Sequence, residues 1–393
     1  MKKMLCLALA VILLLCGCQF DPEQTVSLSR PNLNDLPGGI VSSPKPNQSD
    51  ESVDDDAVVE KYVARDSYDN ISLGYKNLHQ NEKYYYYSDE FGFFAVDKQT
   101  KEQIAFSEKL MLGMCVFQDK IYFPQIGKVV VFDTNTHKFE EKSYKELLSL
   151  QISVPQTKYN LSILMIKDGW LVSVEDNEWG TKKVYLTDYN FTTKTLLPIT
   201  RFDFVLDDDI FLLDKSGNVL CYNYNTKKRS YVTDNFNITQ DEYSFLATRN
   251  FTYLGKDRIL VYAEDKLHVV SLKDGSTCLE FPFKPEDPTS VFAEAIYDDK
   301  NAYLFIGMPE DSYTLYSIPH SDNKAQTIYQ TKIDLPVTYC GPADIDENYI
   351  YLDYLSYYDE EGNPLSYYSR INKDGTGEET IFKAKIPDSY LYK

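Results

Sequence analysis

Pairs of short apolar segments, each pair preceded by a polar turn, recur along most of the chain. The segments are rich in Tyr, Phe, Val and Ile and are bounded by Asp, Asn, Lys and Gly. Short apolar runs with β-branched and aromatic residues between turn residues are typical of strands. The pattern therefore predicts a succession of paired strands. The units begin at Asn81, Gln118, Lys167, Asp208, Lys256, Asp299 and Glu347.

The second segment of several units ends in a similar polar turn. Asp and Asn side chains accept hydrogen bonds from their own backbone two residues further on, and Gly tolerates a positive φ, so these segments predict hairpin turns. The mean spacing of the units is about 46 residues, which lies in the range of the four-stranded blades of propellers. The turns lie at Val96–Thr100, Phe132–Thr136, Tyr222–Thr226, Leu272–Gly275 and Asn372–Gly375.

These repeats predict an all-β protein, a seven-bladed β-propeller, with six or eight blades as alternatives. Continuous apolar runs such as Val129–Phe132 are expected of strands that pack on both faces between neighbouring blades. Only Tyr144–Leu150 resembles a helix. The stretch Asn70–Tyr75 precedes the first unit and is a candidate to complete the last blade.

The N-terminus predicts export and a lipid anchor. Lys2 and Lys3 are followed by an apolar run that is too short to span a bilayer, which needs roughly 20 residues. The ending Leu15-Cys16-Gly17-Cys18 resembles the bacterial lipobox, which implies a diacylglycerol on Cys18. The predicted organisation is a lipoprotein signal peptide (1–17), a disordered acidic Pro/Ser-rich tether (18–56) and the β-propeller (57–393), on the outer face of the cell membrane.

The charge of the chain limits its partners. Sixty acidic and 40 basic residues give a net charge of −20, so nucleic acid would be repelled and adsorption on anionic lipid is disfavoured. The predicted contact with the membrane is therefore the diacylglycerol on Cys18. Four cysteines remain in the predicted propeller; they lie in apolar segments without CxxC spacing, so we expect buried free thiols: Cys115, Cys221, Cys278 and Cys340.

Two segments resemble a known family of propellers. Tyr86-Tyr87-Ser88-Asp89 resembles the Tyr-Trp-Thr-Asp signature of low-density-lipoprotein-receptor-type β-propellers. Tyr368–Ile381 is similar to that family's strand and Asn-x-Asp-Gly turn, and a bacterial branch of uncharacterised lipoproteins is the nearest resemblance. The resemblance implies a six- or seven-bladed propeller used for binding. It brings no catalytic residue to this chain.

The search for catalytic chemistry assigns no site. The 4 histidines have no metal-ligand spacing, and the sequence contains no HExxH, GxSxG, GxGxxG or P-loop motif. The sequence therefore indicates no catalytic residue, no metal ligand and no cofactor. His137 and His320 are expected in solvated turns, and Asp207-Asp208-Asp209, the densest acidic run, as solvated turn residues. Paired tyrosines such as those of Tyr84–Tyr87 are expected to pack between blades.

The leading interpretation is a lipid-anchored binding or scaffolding module for a protein, peptide or glycan, acting as a monomer and holding its ligand on loops at one face of the propeller. The alternative is an enzyme, a polysaccharide hydrolase or lyase with paired carboxylates at the propeller channel. An envelope-assembly scaffold is a third interpretation. Converging carboxyls with separated pKa values would favour the enzyme.

Overall fold

The computed structural model describes the chain from Glu60 to Ala384 with internal gaps. The chain divides into two units, Met1–Ala57 and Val58–Lys393, and the described residues belong to the second. Residues that are not described are 1–59, 66–67, 69–75, 90, 110, 112, 126, 146, 149–158, 177–180, 214–217, 234–235, 237–250, 265, 283–291, 309–311, 323, 332–336, 357–364 and 385–393. The predicted signal peptide, Cys18, the tether and the stretch Asn70–Tyr75 lie outside the described residues.

Seven antiparallel sheets, here called blades 1 to 7, follow one another along the chain. Blade 1 contains β2 (Leu78–Gln80), β3 (Tyr84–Asp89), β4 (Gly92–Asp97) and β5 (Gln103–Ser107). Blade 2 contains β6 (Cys115–Phe117), β7 (Lys120–Gln125), β8 (Lys128–Asp133) and β9 (Lys138–Ser143). Blade 3 contains β10 (Tyr159–Ile166), β11 (Gly169–Asp176), β12 (Thr181–Thr187) and β13 (Lys194–Leu197).

The remaining blades have the same order. Blade 4 contains β14 (Phe204–Leu206), β15 (Asp209–Leu213), β16 (Val219–Asn223) and β17 (Arg229–Thr233). Blade 5 contains β18 (Phe251–Tyr253), β19 (Arg258–Ala263), β20 (Lys266–Ser271) and β21 (Thr277–Pro282). Blade 6 contains β22 (Phe292–Tyr297), β23 (Asn301–Met308), β24 (Ser312–Pro319) and β25 (Gln326–Gln330). Blade 7 contains β26 (Val337–Ile345), β27 (Tyr349–Ser356), β28 (Leu365–Asn372) and β29 (Glu379–Lys383).

Blade 4 has a fifth strand, which comes from the N-terminal side of the propeller. Strand β1 (Glu60–Lys61) pairs in parallel with β17, with Glu60 opposite Ser230 and Lys61 opposite Tyr231. The amide of Tyr62 continues the pairing by donating to the carbonyl of Tyr231 at 2.8 Å. We call Glu60–Arg65 the strap.

Apolar side chains between adjacent blades close the sheets into a ring. Because strand residues alternate between the two sheet faces, each blade presents apolar side chains to both neighbours. Tyr85 and Tyr87 of blade 1 pack with Tyr351 and Tyr368 of blade 7, so the first and last blades are in contact. Tyr86 points the other way, into the cluster that blade 1 shares with blade 2. The molecule is a seven-bladed β-propeller.

The two ends of the propeller differ in the length of their connections. At one end, which we call the turn face, strands one to two and three to four of each blade are joined by two to six residues. At the other end, the loop face, strands two to three are joined within a blade, and successive blades are joined by six to seventeen residues. The blades share the same order of strands, and their connections vary most in length at the loop face.

Most of the predicted pattern is confirmed. The seven predicted units begin in the first turn of each blade, and their paired segments are the second and third strands. The predicted helix at Tyr144–Leu150 is wrong. Its described residues form turns, with one helical-type hydrogen bond, at 3.1 Å, from the amide of Leu148 to the carbonyl of Tyr144. Both side chains are buried beside blade 3. The apolar residues four positions apart, which resembled a helix, therefore reflect the packing of a loop.

Candidate functional site

Side-chain oxygens organise the turns of the turn face. Asp97 Oδ1 accepts hydrogen bonds from the amides of Gln99 and Thr100 at 2.9 and 3.0 Å. This arrangement is an Asx turn, which explains why Asp or Asn recurs at the same place in successive blades. Equivalent pairs of hydrogen bonds are accepted by Asn81, Asp133, Asn223, Asp298 and Asp346.

Polar contacts join neighbouring blades across the turn face. The hydroxyl of Tyr224 in blade 4 donates to Asp168 beside blade 3 at 2.7 Å. Lys373 of blade 7 pairs with Asp298 of blade 6, also at 2.7 Å. Lys167 similarly pairs with Asp208, and the Arg258 guanidinium contacts His320 Nδ1. The turn face thus uses many of its charged groups to hold the blades together.

The strap covers the acidic run of blade 4. The guanidinium of Arg65 lies 3.3 Å from Asp207, 3.9 Å from Asp208 and 3.4 Å from Asp209. The Tyr62 hydroxyl also donates to Asp209, at 3.1 Å. Although burial lowers it, the pKa of Arg65 is raised overall by the three carboxylates.

The predicted location of this run in a turn is confirmed, but its predicted solvation is wrong. Asp207 is 7% exposed and Asp209 is 4% exposed. The expectation that His320 is solvated is also wrong. It is half-buried, and its Nε2 is hydrogen-bonded to the carbonyl of Asp298 at 2.8 Å. His137 does lie in an exposed turn. Sequence reasoning missed the ion pairs because the partner Arg65 lies 142 residues before Asp207.

Within the described residues, the seam between blades 7 and 1 is the one junction of the ring that no connection between successive blades crosses. Polar contacts supplement its aromatic core. Lys76 Nζ lies 2.6 Å from Asp344, and the Asn77 amide donates to Asp353 at 3.1 Å. Towards the turn face, Gln80 Nε2 is 3.5 Å from Asp346, and the Tyr351 hydroxyl donates to Asp346 at 2.6 Å.

Two buried carboxyls have raised pKa values. Burial, followed by the charges of Glu294 and Asp89, raises the pKa of Asp353 to about 7, although the hydrogen bond from Asn77 acts in the opposite direction. Burial also raises the pKa of Asp203, against the effect of Arg201, which contacts it. Asp203 lies in the connection between blades 3 and 4, whereas Asp353 belongs to blade 7, which is adjacent to neither.

The tyrosine-rich segment of blade 1 is structural, as predicted. All four side chains of Tyr84–Tyr87 are less than 10% exposed, so they cannot form a binding platform. The cysteine prediction is confirmed for Cys115, Cys221 and Cys340, which are buried and form no disulfide. Cys278 is also free but half-exposed.

Neither a metal centre nor a membrane span can be assigned within the described residues. They contain no cluster of three His, Cys, Asp or Glu side chains that could hold an ion. They also include no helix with the length and apolar character needed to cross a bilayer. Cys18, the predicted lipidation site, lies outside them, so its modification stays a prediction.

Comparison with known proteins yields structural likeness only. No protein-family model matches the chain, and no curated protein matches it. Hsv2 of Kluyveromyces lactis is similar with a TM-score of 0.47 at 10% identity, over 81% of this chain and 100% of that chain. The WD40 domain of SCAP from fission yeast has a TM-score of 0.42 at 10% identity, over 82% and 91%.

A bacterial structure is among the similar proteins. The extracellular domain of a one-component system from B. thetaiotaomicron has a TM-score of 0.45 at 13% identity, over 72% of this chain and 40% of that chain. At such identities the likeness concerns the fold alone. The assignment as a seven-bladed β-propeller rests on the seven sheets and their shared cores.

Proposed function

We propose that the protein is an exported, lipid-anchored binding module that holds a protein, peptide or glycan on its loop face. The contrast between the two ends of the ring carries this proposal. The turn face has short turns whose charged side chains pair with one another, whereas the connections of variable length belong to the loop face. Variable loops on a rigid scaffold are where binding residues concentrate.

The attachment of the strap supports the same orientation. Strand β1 runs parallel to β17, and Glu60 lies opposite Ser230, close to the turn that precedes β17 on the turn face. The chain therefore joins the propeller beside the turn face. An anchor on Cys18 would be continuous with the chain that enters β1.

The positions of the carboxyls with raised pKa values give less support to the alternative that the protein is an enzyme. A hydrolase of the expected type needs two carboxyl groups within about 10 Å, with different pKa values. The two carboxyls with raised pKa values, Asp203 and Asp353, lie beside blade 4 and in blade 7 and are engaged by Arg201 and Asn77 respectively. Asp353 is also only 8% exposed, which leaves little access for a substrate.

Matched charge reversals at the two ends of one strand test the choice of face. Glu102 and Glu108 are both exposed and flank β5, the first at the turn face and the second at the loop face. After glycan and peptide arrays identify a binding probe, we expect Glu108→Lys to change its affinity and Glu102→Lys to leave it unchanged. Arrays without a bound probe, or a larger effect of Glu102→Lys, would contradict the proposal.

The anchor has a separate test. Metabolic labelling with a clickable fatty acid should label the wild-type chain and not the Cys18→Ser variant. Cell fractionation should then move the variant from the membrane to the soluble fraction. Equal labelling of both chains would exclude the anchor while leaving the binding proposal open to the array experiment.

A further inference from the structure

The seam between blades 7 and 1 depends on non-covalent contacts more than any other junction of the ring. Successive blades are joined by the chain at the six other junctions, whereas blades 1 and 7 are the two ends of the series. In the described residues each of these two blades is built from one continuous segment, and no strand is exchanged between them. Side-chain contacts must therefore hold this junction closed.

Asp353 is placed inside that junction. It lies on β27, opposite Gly341 of β26 and Tyr368 of β28. The side chain is 8% exposed, and the amide of Asn77 from the blade 1 side is the hydrogen-bond donor that the described residues supply. A carboxylate with one neutral donor is poorly compensated for the loss of water.

Among the described residues, the charged groups that act on Asp353 do not neutralise it. Asp89 of β3 and Glu294 of β22 act on it as further negative charges. Lys76, the nearby cation on the blade 1 side, pairs instead with Asp344 of β26. A protonated Asp353 would avoid both the desolvation cost and the repulsion from Asp89 and Glu294.

Three other titratable groups at the seam have pKa values shifted by their own surroundings. Burial lowers the pKa of His79, so this imidazole loses its proton at a lower pH than an exposed histidine. Hydrogen bonds from Tyr351 and the backbone hold the pKa of Asp346 below its ordinary value, although burial opposes them. Burial raises the pKa of the Tyr351 hydroxyl, which stays neutral throughout.

We propose that Asp353 is a proton-controlled clasp of the propeller: as a neutral acid it lets blades 7 and 1 pack together, and its ionisation at rising pH loosens the seam. The inference rests on the geometry of the ring and does not require the proposed function. An exported domain, however, would be exposed directly to the pH of its surroundings.

The sign of the effect follows from the direction of the shift. The carboxyl has a pKa of about 7 in the closed seam and about 4 when opening exposes it to water. The protonated carboxyl therefore stabilises the closed seam fully at low pH. This stabilisation is lost as the pH rises from about 4 through 7. Opening should increase roughly tenfold for each pH unit between about 5 and 7 and level off above about 8.

Amide hydrogen exchange of the full chain, read by mass spectrometry and corrected for the intrinsic pH dependence of exchange, tests the proposal. Peptides covering β2–β3 and β26–β28 should lose about 100-fold of their protection between pH 5 and pH 8. Peptides covering β11–β12 of blade 3 should not. A flat profile in the seam, or an equal loss in blade 3, would overturn the proposal.

Two variants assign the effect to one residue. Asp353→Asn keeps the shape and the acceptor oxygen but removes the titration, so its seam should stay protected at pH 8. Asp346→Asn is the matched control, because it makes the same change at the same seam in a carboxyl whose pKa is lowered, and it should retain the wild-type pH profile. Persistence of the profile in Asp353→Asn, or its loss in Asp346→Asn, would show that Asp353 is not the clasp.

Discussion

Single residues of this chain are predictable where their partners are local. The Asx turns involve residues two or three positions apart, so Asp97 and Asp133 could be placed in turns from the sequence. The burial of the carboxylates of Asp207–Asp209 could not be predicted from local sequence in this way. Their burial depends on Arg65, and only the folded chain brings the strap to blade 4.

Asp188 gives the first prediction. Its carboxylate accepts hydrogen bonds from the amides of Asn190, Thr192 and Thr193, and this turn places Phe191 at a φ of 57° with its ring buried against blade 3. Asp188→Ala should lower the free energy of unfolding by about 1–2 kcal/mol at pH 7, measured by urea denaturation. Asp188→Asn, which retains an acceptor oxygen, should lower the free energy of unfolding by a smaller amount.

The pH dependence of that difference is a second prediction. Hydrogen bonds from Thr193, Thr192 and the backbone hold the pKa of Asp188 well below its ordinary value, although burial opposes them. A depressed pKa stabilises the fold above the unfolded value of about 4, and this contribution is lost as the pH falls below it. The stability gap between the wild type and Asp188→Ala should therefore be constant above about pH 5 and narrow as the pH falls from about 4 towards 2. A gap that is constant over this range would assign the effect to packing alone.

At the scale of elements, the inner structure of each blade was easier to predict than its edges. The second and third strands are buried on both faces, as in β8, and gave continuous apolar runs. The outer strands are partly solvated. The residues of β9 (Lys138–Ser143) are nearly all exposed and mostly charged, so no apolar pattern marks this strand. Such edges are identified only by their pairing in the sheet.

Packing between blades 1 and 2 gives the element-scale prediction. Phe93 is fully buried, and its ring lies 4.8 Å from that of Phe123 and 4.9 Å from that of Phe132. Phe93→Ala should cost about 3–5 kcal/mol of unfolding free energy, because it removes a buried ring and leaves a cavity.

Phe139 belongs to the same group of rings but is 40% exposed, so Phe139→Ala is the matched control. We expect it to cost about 1 kcal/mol, since a large part of the Phe139 ring already faces water. Thermal or urea unfolding of the two variants measures both values. Similar losses would mean that the described packing does not distinguish the buried core between blades 1 and 2 from its exposed edge.

For the whole molecule, the repeat predicted the number of blades but not how the ring is completed. Counting similar segments requires only local patterns, and seven is confirmed. The closure involves contacts between blades 1 and 7, such as the 5.5 Å ring pair of Tyr87 and Tyr368. The fifth strand of blade 4 was also missed, because Glu60-Lys61 is too short and polar to indicate a strand.

The strap provides the prediction that concerns the whole domain, since it connects the first described residues to blades near the middle of the series. Tyr62 is 7% exposed and packs on Phe211 at 5.3 Å, and Arg65 forms ion pairs with the three carboxylates of the acidic run. Arg65→Ala should lower the unfolding free energy by about 2 kcal/mol, less than for a fully buried ion pair because Arg65 is partly exposed.

Val63 lies on the same strap but is 83% exposed, so Val63→Ala should leave stability unchanged and serves as the control. Limited proteolysis should show faster cleavage within the strap in Arg65→Ala and wild-type cleavage in Val63→Ala, because residues released from blade 4 become accessible to protease. If Arg65→Ala matched the control in both measurements, the strap would be a passive extension of the chain. If it is destabilised as expected, the strap is a structural part of the propeller.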